Sequence, residues 1–236
     1  MPETDVFALL RDPKVSAVLQ RLHNAADKQT PRLLAHYLPQ LPRILTGREI
    51  PFTTAQATTF YADKYLPLDR DQAAFCYQTV RALGATTVAE FGTSFGISTI
   101  WLAAAVRDNG GGRVIGTELV PAKAEQALAN VAEAGLADYV EVRVGDARTT
   151  LADGPEQIDF LLNDGFPMLA LEILQLLTPR IRPGGVVLTD NVGTFKANFR
   201  DYVAHVREPA NGYVSSLLPY KSGTEYSVRI AADDPG

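Results

Sequence analysis

Residues 88–99 read Val-Ala-Glu-Phe-Gly-Thr-Ser-Phe-Gly-Ile-Ser-Thr, and this part of the sequence predicts the fold most directly. The apolar run 87–91 predicts a buried strand, and the glycine-containing residues 92–96 predict a tight turn. The following residues 97–106 predict a helix, because Ile100, Trp101, Ala104 and Ala105 recur at helical spacing. A strand, a turn and a helix in this order bring helix N-terminal N–H groups to the carboxyl end of a strand. Open α/β sheets bind their ligands at that end.

The spacing of the glycines distinguishes between classes of ligand. A dinucleotide fingerprint, G-x-G-x-x-G, would start at Gly92 and require glycines where this chain has Ser94 and Ile97. An NAD-dependent oxidoreductase is therefore a disfavoured alternative. The chain instead carries an acidic residue, Glu90, two positions before Gly92, and a second glycine at Gly96. A turn that only packs the helix on the strand is the other alternative.

The segment from Glu90 to Gly96 resembles the first motif of the class I S-adenosylmethionine-dependent methyltransferases. That cofactor has no phosphate, so its turn needs only room for a ribose and a carboxylate. The resemblance implies that S-adenosylmethionine contacts this segment through Glu90, Gly92, Thr93, Ser94, Gly96 and Ser98.

The composition bounds the partners of the protein. The 236 residues include 46% hydrophobic residues, enough for a full core, and the formal net charge is −5. Because Lys and Arg form no cluster, we expect no nucleic-acid partner. No apolar run approaches the ~20 residues of a membrane span, so we expect no membrane partner. The single cysteine, Cys76, excludes an internal disulfide, and the chain opens on no secretory leader; a reducing cytoplasm is the expected location.

The first part of the chain predicts a helical extension. Asp12-Pro13 and Thr30-Pro31 each have the form of a helix cap followed by a first-turn proline, so two helices are expected there. We interpret residues 1–66 as a helical cap or dimerisation arm over the ligand edge, because they are too few to form a core of their own. Residues 67–236 are then the cofactor-binding domain, and a homodimer is expected.

Glu118 lies at the end of a second predicted strand, 113–119. A carboxylate about 20 residues after the glycine turn can accept hydrogen bonds from both ribose hydroxyls, so Glu118 is the predicted ribose ligand, with Leu119 beside the cofactor. The alternative is that Glu118 only interacts favourably with the N-terminus of the next helix.

Asp146 follows the third predicted strand, 139–144. An acidic residue there can accept a hydrogen bond from the adenine amino group, and Asp146 and Ala147 are the predicted adenine contacts. The alternative is that Asp146 is an ordinary helix cap.

The remaining sequence continues the alternation of strands and helices and closes with a hairpin, 213–218 and 225–230. The predicted fold class is α/β: a Rossmann-like, seven-stranded, mostly parallel sheet with one antiparallel strand, helices on both faces and an N-terminal helical extension.

Acceptor side chains follow the fourth and fifth predicted strands. Asp164 ends one, and Asp190 and Asn191 end the other. Because the carboxyl ends of parallel strands share one edge, these oxygens are expected to converge and to suit Mg²⁺ or a similar divalent cation. The alternative for Asp190 and Asn191 is a capping turn.

With these residues the chain resembles the metal-dependent O-methyltransferases of the catechol and caffeoyl-coenzyme A type, especially their small bacterial members, over roughly residues 66–230. The resemblance implies methyl transfer to a phenolic or similar hydroxyl of a small molecule. It also implies that Asp164, Asp190 and Asn191 are metal ligands, that Asp164 additionally borders the cofactor, and that Glu118 binds the ribose.

One residue departs from this family. Its members usually carry a catalytic lysine three residues after the first metal aspartate, where this chain has Pro167. Lys196, Lys221 and His205 could substitute, but no catalytic residue is assigned. The departure leaves open an alternative function, a methyltransferase fold repurposed as a cofactor-binding cyclase or another non-methylating protein.

Overall fold

A computed structural model describes residues 5–231, and one seven-stranded sheet forms the centre of that part of the chain. The strand order is β3-β2-β1-β4-β5-β7-β6. The strands are β1 (Thr87–Phe91), β2 (Arg113–Glu118), β3 (Val140–Val144), β4 (Ile158–Asn163), β5 (Ile181–Thr189), β6 (Tyr213–Leu218) and β7 (Thr224–Arg229).

The helices lie before, between and after these strands. They are α1 (Pro13–Tyr37), α2 (Leu41–Leu45), α3 (Thr54–Thr58), α4 (Arg70–Ala82), α5 (Ile97–Asp108), α6 (Pro121–Glu133), α7 (Ala147–Thr150), α8 (Ala170–Leu177) and α9 (Arg200–Arg207). Within the described chain none of them is both long and apolar enough to cross a membrane.

The predicted fold class is confirmed. Strands β1 to β5 pair in parallel, whereas β7 is antiparallel to both of its neighbours, β5 and β6. Strand β7 is therefore the one strand of the described sheet that runs against the others. Because β1 to β5 are parallel, their carboxyl ends share one edge, and every predicted ligand position lies at that edge.

Each face of the sheet is covered by its own hydrophobic core. On one face, side chains of α1, α4, α5 and α6 pack on the sheet around Trp101, which is fully buried. On the other face, α8 and α9 pack on it around Phe199 and Tyr202. The strands of a parallel sheet are buried on both faces, which explains the apolar runs that predicted them.

The N-terminal segment contains one long helix where two were expected. Helix α1 continues through Pro31, so the prediction of a separate helix starting at Thr30-Pro31 is wrong. A proline inside a helix removes one N–H donor and disfavours the preceding turn, so Thr30-Pro31 has the form of a helix start. The helix continues because tertiary contacts hold it on both sides of Pro31: the amide of Gln29 donates to the carbonyl of Asp63 at 3.1 Å, and Tyr37 accepts a hydrogen bond from Tyr61 at 2.8 Å.

The two halves of α1 have different surroundings. Its first half shares the core with the sheet, because Val15, Leu19 and Leu22 are fully buried there and Phe7 stacks on Trp101 at 5.8 Å between ring centroids. Its second half carries the exposed Leu34, and Leu38 follows directly after the helix. The division into an arm, 1–66, and a domain, 67–236, stays a prediction, and residues 1–4 and 232–236 of these ranges lie outside the described chain.

Candidate functional site

Backbone hydrogen bonds join the turn after β1 to the ends of the neighbouring strands. The N–H of Thr93 donates to the carbonyl of Thr117 on β2 at 3.0 Å, and the N–H of Asp164 donates to the carbonyl of Phe91 at 2.9 Å. The N–H of Gly145, after β3, donates to the carbonyl of Glu118 at 2.9 Å. The predicted cofactor turn therefore lies between the residues predicted to hold ribose, adenine and metal.

Gly92 allows this close approach. Its φ is +102°, and a Cβ at this position would lie only 2.6 Å from the backbone carbonyl oxygen of Asp164. Gly96 also has a positive φ, +82°, and a Cβ there would lie 3.2 Å from the Cβ of Ala127 on α6. Both glycines of the motif are thus required by backbone conformation and by close packing.

Glu90 points inward, under the turn, and is completely buried. Its carboxylate accepts hydrogen bonds from the hydroxyls of Thr93 at 2.9 Å, Ser98 at 2.6 Å and Thr99 at 2.5 Å. Burial raises the pKa of Glu90, and these three donors oppose the rise. Glu90 therefore fixes the turn and the first turn of α5 from below. Cofactor contacts by Glu90, Thr93 and Ser98 stay predictions.

Glu118 is held in position by the backbone. One carboxylate oxygen accepts the N–H of Ser94 and the other accepts the N–H of Val120, each at 2.8 Å. Each oxygen keeps lone pairs that could accept a ribose hydroxyl. Ser94 adopts a left-handed φ of +50°, which is unusual for a residue with a side chain. The structure brings Glu118 to the glycine turn, as a ribose ligand requires.

Replacing Glu118 tests this assignment. We expect Glu118→Ala to weaken S-adenosylmethionine binding by about ten- to a hundredfold, because hydrogen bonds to a charged group contribute about 1.5–3 kcal/mol. Isothermal titration calorimetry measures the change. The matched control is Glu125→Ala, an exposed carboxylate on α6. Equal affinities of the two variants would exclude Glu118 as the ribose ligand.

Sequence reasoning missed Lys123 at this site. Its side chain is buried, its ammonium lies 3.3 Å from the hydroxyl of Ser94, and it stands 5.2 Å from the centroid of the Phe95 ring. Burial lowers the pKa of Lys123, while the charge of Glu118 opposes this shift. The signal in the sequence was a lysine in the first turn of α6, the helix that follows the predicted ribose ligand Glu118.

Asp146 forms the cap that the alternative interpretation expected. It accepts the N–H of Arg148 at 2.9 Å and pairs with the Arg148 guanidinium at 2.5 Å. The hydrogen bonds from Arg148 lower the pKa of Asp146. Ala147 is buried beside it, and Leu119 lies half-buried after β2. An adenine amino group would share Asp146 with Arg148, and the adenine contacts stay a prediction.

Asp164 and Asp190 form an acidic pair at the ends of β4 and β5. Burial and the charges of Asp190 and Glu90 raise the pKa of Asp164 well above its usual value. Burial also raises the pKa of Asp190, whose carboxylate accepts hydrogen bonds from Ser222 at 2.6 Å and from the amide of Asn191 at 2.9 Å. Asp164 and Asp190 directly follow Asn163 and Thr189, which are paired in the β4–β5 register, and a charge on Asp190 disfavours a charge on Asp164.

The donor set fits a hard divalent cation. Neither carboxylate forms an ion pair with a lysine or arginine among residues 5–231. A cation would remove the repulsion of the pair, and Asn191 adds an amide oxygen. Over the same residues, no three His, Cys, Asp or Glu side chains gather in a way that could hold a metal. Ligation would thus depend on Asp164, Asp190, Asn191 and water.

The position of the missing lysine is apolar. Pro167 is buried and begins a short 3-10 helix, Pro167–Leu169. Among the three candidate substitutes, Lys221 is exposed and paired with Asp69 at 3.0 Å, Lys196 is exposed, and His205 lies half-buried on α9. The structure gives none of them a contact with the acidic pair, and no catalytic base is assigned.

Aromatic residues of the N-terminal segment meet the loops that follow the acidic pair. Phe52 contacts Phe166 and Phe195 at centroid distances of 6.0 and 5.2 Å, and Tyr61 lies 5.9 Å from Phe166. The hydroxyl of Tyr61 donates to that of Tyr37 at 2.8 Å. We name these five residues the aromatic wall. Phe166 and Phe195, each a few residues after a predicted metal ligand, were the signal that sequence reasoning missed.

The turn is covered from one side by residues 65–67. Tyr65 stacks on Phe95 with ring centroids 4.3 Å apart, and the cavity between this segment and the turn is only about 10 Å³. A cofactor of the size of S-adenosylmethionine needs far more space. The cofactor predicted to bind this turn would therefore require Tyr65 and its neighbours to be displaced from this arrangement.

Comparisons with known proteins agree with this geometry. Residues 89–192 match a family described as "Methyltransferase domain". The chain is 38% identical over 130 residues to a catechol O-methyltransferase of Mycobacterium tuberculosis, covering 54% of this chain and 57% of the relative. It is 32% identical over 143 residues to one of Niastella koreensis, covering 58% and 64%. The chain thus spans less than two thirds of the length of these two curated relatives.

A solved structure of an O-methyltransferase matches a larger part of the chain than the curated relatives do. The crystal structure of an O-methyltransferase from Bacillus cereus in complex with SAH superposes with a TM-score of 0.63 and 26% identity, covering 76% of this chain and 92% of that one. The fold, together with the residues at the carboxyl edge of the sheet, is that of the class I S-adenosylmethionine-dependent methyltransferases. Within this class, the comparisons confirm the resemblance to the O-methyltransferases of the catechol and caffeoyl-coenzyme A type.

Proposed function

We propose that the protein is an S-adenosylmethionine-dependent O-methyltransferase that methylates a phenolic or catechol-like hydroxyl of a small molecule with the help of a divalent cation. The observation that carries this proposal is the meeting, at one sheet edge, of the Gly92 turn, Glu118 and the pair of Asp164 and Asp190. The relatives named catechol O-methyltransferase support the acceptor class.

The residues of the site divide the work. Glu118 and the turn would hold the cofactor, and Asp164, Asp190 and Asn191 would hold Mg²⁺ or a similar ion. A bound divalent cation would supply Lewis acidity, which favours the ionised form of a phenol whose usual pKa is ~10. The aromatic wall would orient a planar acceptor and exclude water.

The proposed acceptor site lies between the N-terminal segment and the two loops. Burial raises the pKa of Tyr37 far above its usual value, and it also raises that of Tyr61. These tyrosines are therefore neutral at physiological pH and serve as hydrogen-bonding and stacking groups, not as bases.

An activity assay tests the proposal. The protein is incubated with S-adenosylmethionine, Mg²⁺ and a panel of catechols and simple phenols, and S-adenosylhomocysteine is measured. We expect its formation to depend on both the protein and the acceptor. Tight cofactor binding with no turnover on any acceptor would favour the repurposed-fold alternative, which the comparisons do not favour.

We also propose that the protein is a homodimer and works in the cytoplasm, where its one cysteine, Cys76, stays reduced. The dimer is supported by an apolar stripe on the N-terminal segment. Leu34, Leu38, Leu41 and Leu45 are spaced by four, three and four residues, and 43–77% of each side chain is exposed. Such a stripe buries its leucines when two copies pair.

A charge in this stripe should separate the subunits. We expect wild-type protein to elute with twice the 25.6 kDa chain mass and Leu38→Asp with the single mass, because pairing would bury an unpaired carboxylate. Light scattering after size-exclusion chromatography measures the mass. The control is Leu128→Asp, a leucine on α6 that is 43% exposed outside the stripe. A monomeric wild type would contradict the dimer.

A further inference from the structure

Gln72 on α4 lies beside the acidic pair, and neither the sequence motifs nor the proposed function assigns it a role. Its side chain is 1% exposed. The amide nitrogen donates to the hydroxyl of Thr224 at 2.8 Å, and Thr224 is itself fully buried at the start of β7. Thr224 directly precedes Glu225, which is paired with Thr189 in the β5–β7 register, and Asp190 directly follows Thr189. Gln72 is thus bonded to the residue of β7 that lies beside Asp190.

The other atom of this amide has no partner. Among the residues that the structure describes, no donor reaches the buried oxygen Oε1 of Gln72. Buried polar side-chain atoms are nearly always hydrogen-bonded, so an orphaned carbonyl oxygen indicates that a group outside the chain donates to it.

The surroundings identify the kind of group. Ser222, two residues before Thr224, donates to the carboxylate of Asp190 at 2.6 Å. The buried side chain of Gln72 therefore lies at the part of the sheet edge that carries Asp190. A hydrogen-bond donor at this acidic edge would carry a positive charge itself or be polarised by a neighbouring positive charge.

We propose that Gln72 is a further residue of the cation site: its amide oxygen accepts a hydrogen bond from the hydration shell of the bound divalent cation. This inference rests on the proposed cation site. Mg²⁺ keeps several of its waters when it binds protein, and outer-shell partners of that kind strengthen metal binding tenfold to a hundredfold.

Mn²⁺ binding to the full chain tests this role without any turnover. Free Mn²⁺ is titrated by electron paramagnetic resonance against wild type, Gln72→Met, Gln72→Glu and a matched control, Gln78→Met, whose side chain is exposed on the same helix. We expect Gln72→Met to weaken Mn²⁺ affinity by about tenfold or more, because it removes the acceptor at similar length. Gln78→Met should bind like wild type.

Gln72→Glu tests the oxygen acceptor of the side chain separately from its NH₂ group. It keeps an acceptor at the same position and loses the NH₂ bond, so we expect it to bind Mn²⁺ at least as tightly as wild type. A purely structural role would weaken binding in both variants, and that result would overturn the inference. If Gln72→Met does not fold, Gln72→Glu alone tests the acceptor, and Mn²⁺ binding weaker than that of wild type would overturn the inference.

The failure of this inference is distinguishable from that of the proposed function. If wild type binds Mn²⁺ and Asp190→Ala does not, yet Gln72→Met binds like wild type, only the role of Gln72 is overturned. If wild type binds no Mn²⁺, the cation site and the role of Gln72 both fail.

Discussion

Removal of divalent cations is expected to lower methyl transfer by roughly a thousandfold. Lewis-acid stabilisation of charge contributes several kcal/mol to such reactions, and ~4 kcal/mol corresponds to about 10³ in rate. Because Pro167 stands where the family has lysine, no basic side chain at that position helps to ionise the acceptor. Ionisation therefore depends more strongly on the cation. Turnover is measured as S-adenosylhomocysteine formation in excess EDTA, and Mg²⁺ or Mn²⁺ should restore it.

A substitution at Asp190 should reproduce the effect of chelation. Asp190→Asn removes one charge of the pair at nearly constant volume, so cation affinity and turnover should fall while cofactor affinity stays within a few fold. The control is Asp138→Asn, an exposed carboxylate before β3. Full turnover in excess EDTA, together with an active Asp190→Asn, would refute the cation mechanism.

Gly92→Ala is expected to damage cofactor binding and the acidic pair together. The new methyl group would lie 2.6 Å from the carbonyl oxygen of Asp164, at a φ of +102° that side chains rarely adopt. Left-handed strain costs about 1–3 kcal/mol, and overpacking costs a similar amount. We expect the free energy of unfolding to fall by about 2–6 kcal/mol and both ligands to bind more weakly.

Gly110 provides a matched control for this substitution. Its φ is +103°, nearly that of Gly92, but a Cβ there would meet nothing within 4 Å. Gly110→Ala therefore carries the backbone strain without the clash, and it lies after α5, away from the site. Urea denaturation and calorimetry compare the two variants. If both lose the same stability and keep both ligands, the close approach of the turn to Asp164 has no functional part.

Much of the candidate site was predictable because its parts follow strand ends. Glu118, Asp146, Asp164 and Asp190 were each identified from a strand pattern followed by an acidic residue, and parallel pairing brings those ends to one edge. The prediction for Thr30-Pro31 failed because a capping signal is local, whereas the contacts that hold α1 around Pro31 come from distant segments, such as the bond from Gln29 to Asp63.

Local sequence patterns were enough to predict the strand, turn and helix around Gly92, the alternation of strands and helices, and the acidic residues at the sheet edge. Each of these is encoded in a dozen or fewer neighbouring residues, through side-chain periodicity and turn chemistry. Two features of the site are visible only in the folded chain. Glu90 points inward to three hydroxyls, and the aromatic wall joins the N-terminal segment to the two loops that follow Asp164 and Asn191. The same holds for Gln72, whose amide meets Thr224 across 152 residues of chain. Contacts between residues so far apart depend on how helices pack on the sheet, and no local pattern carries that information.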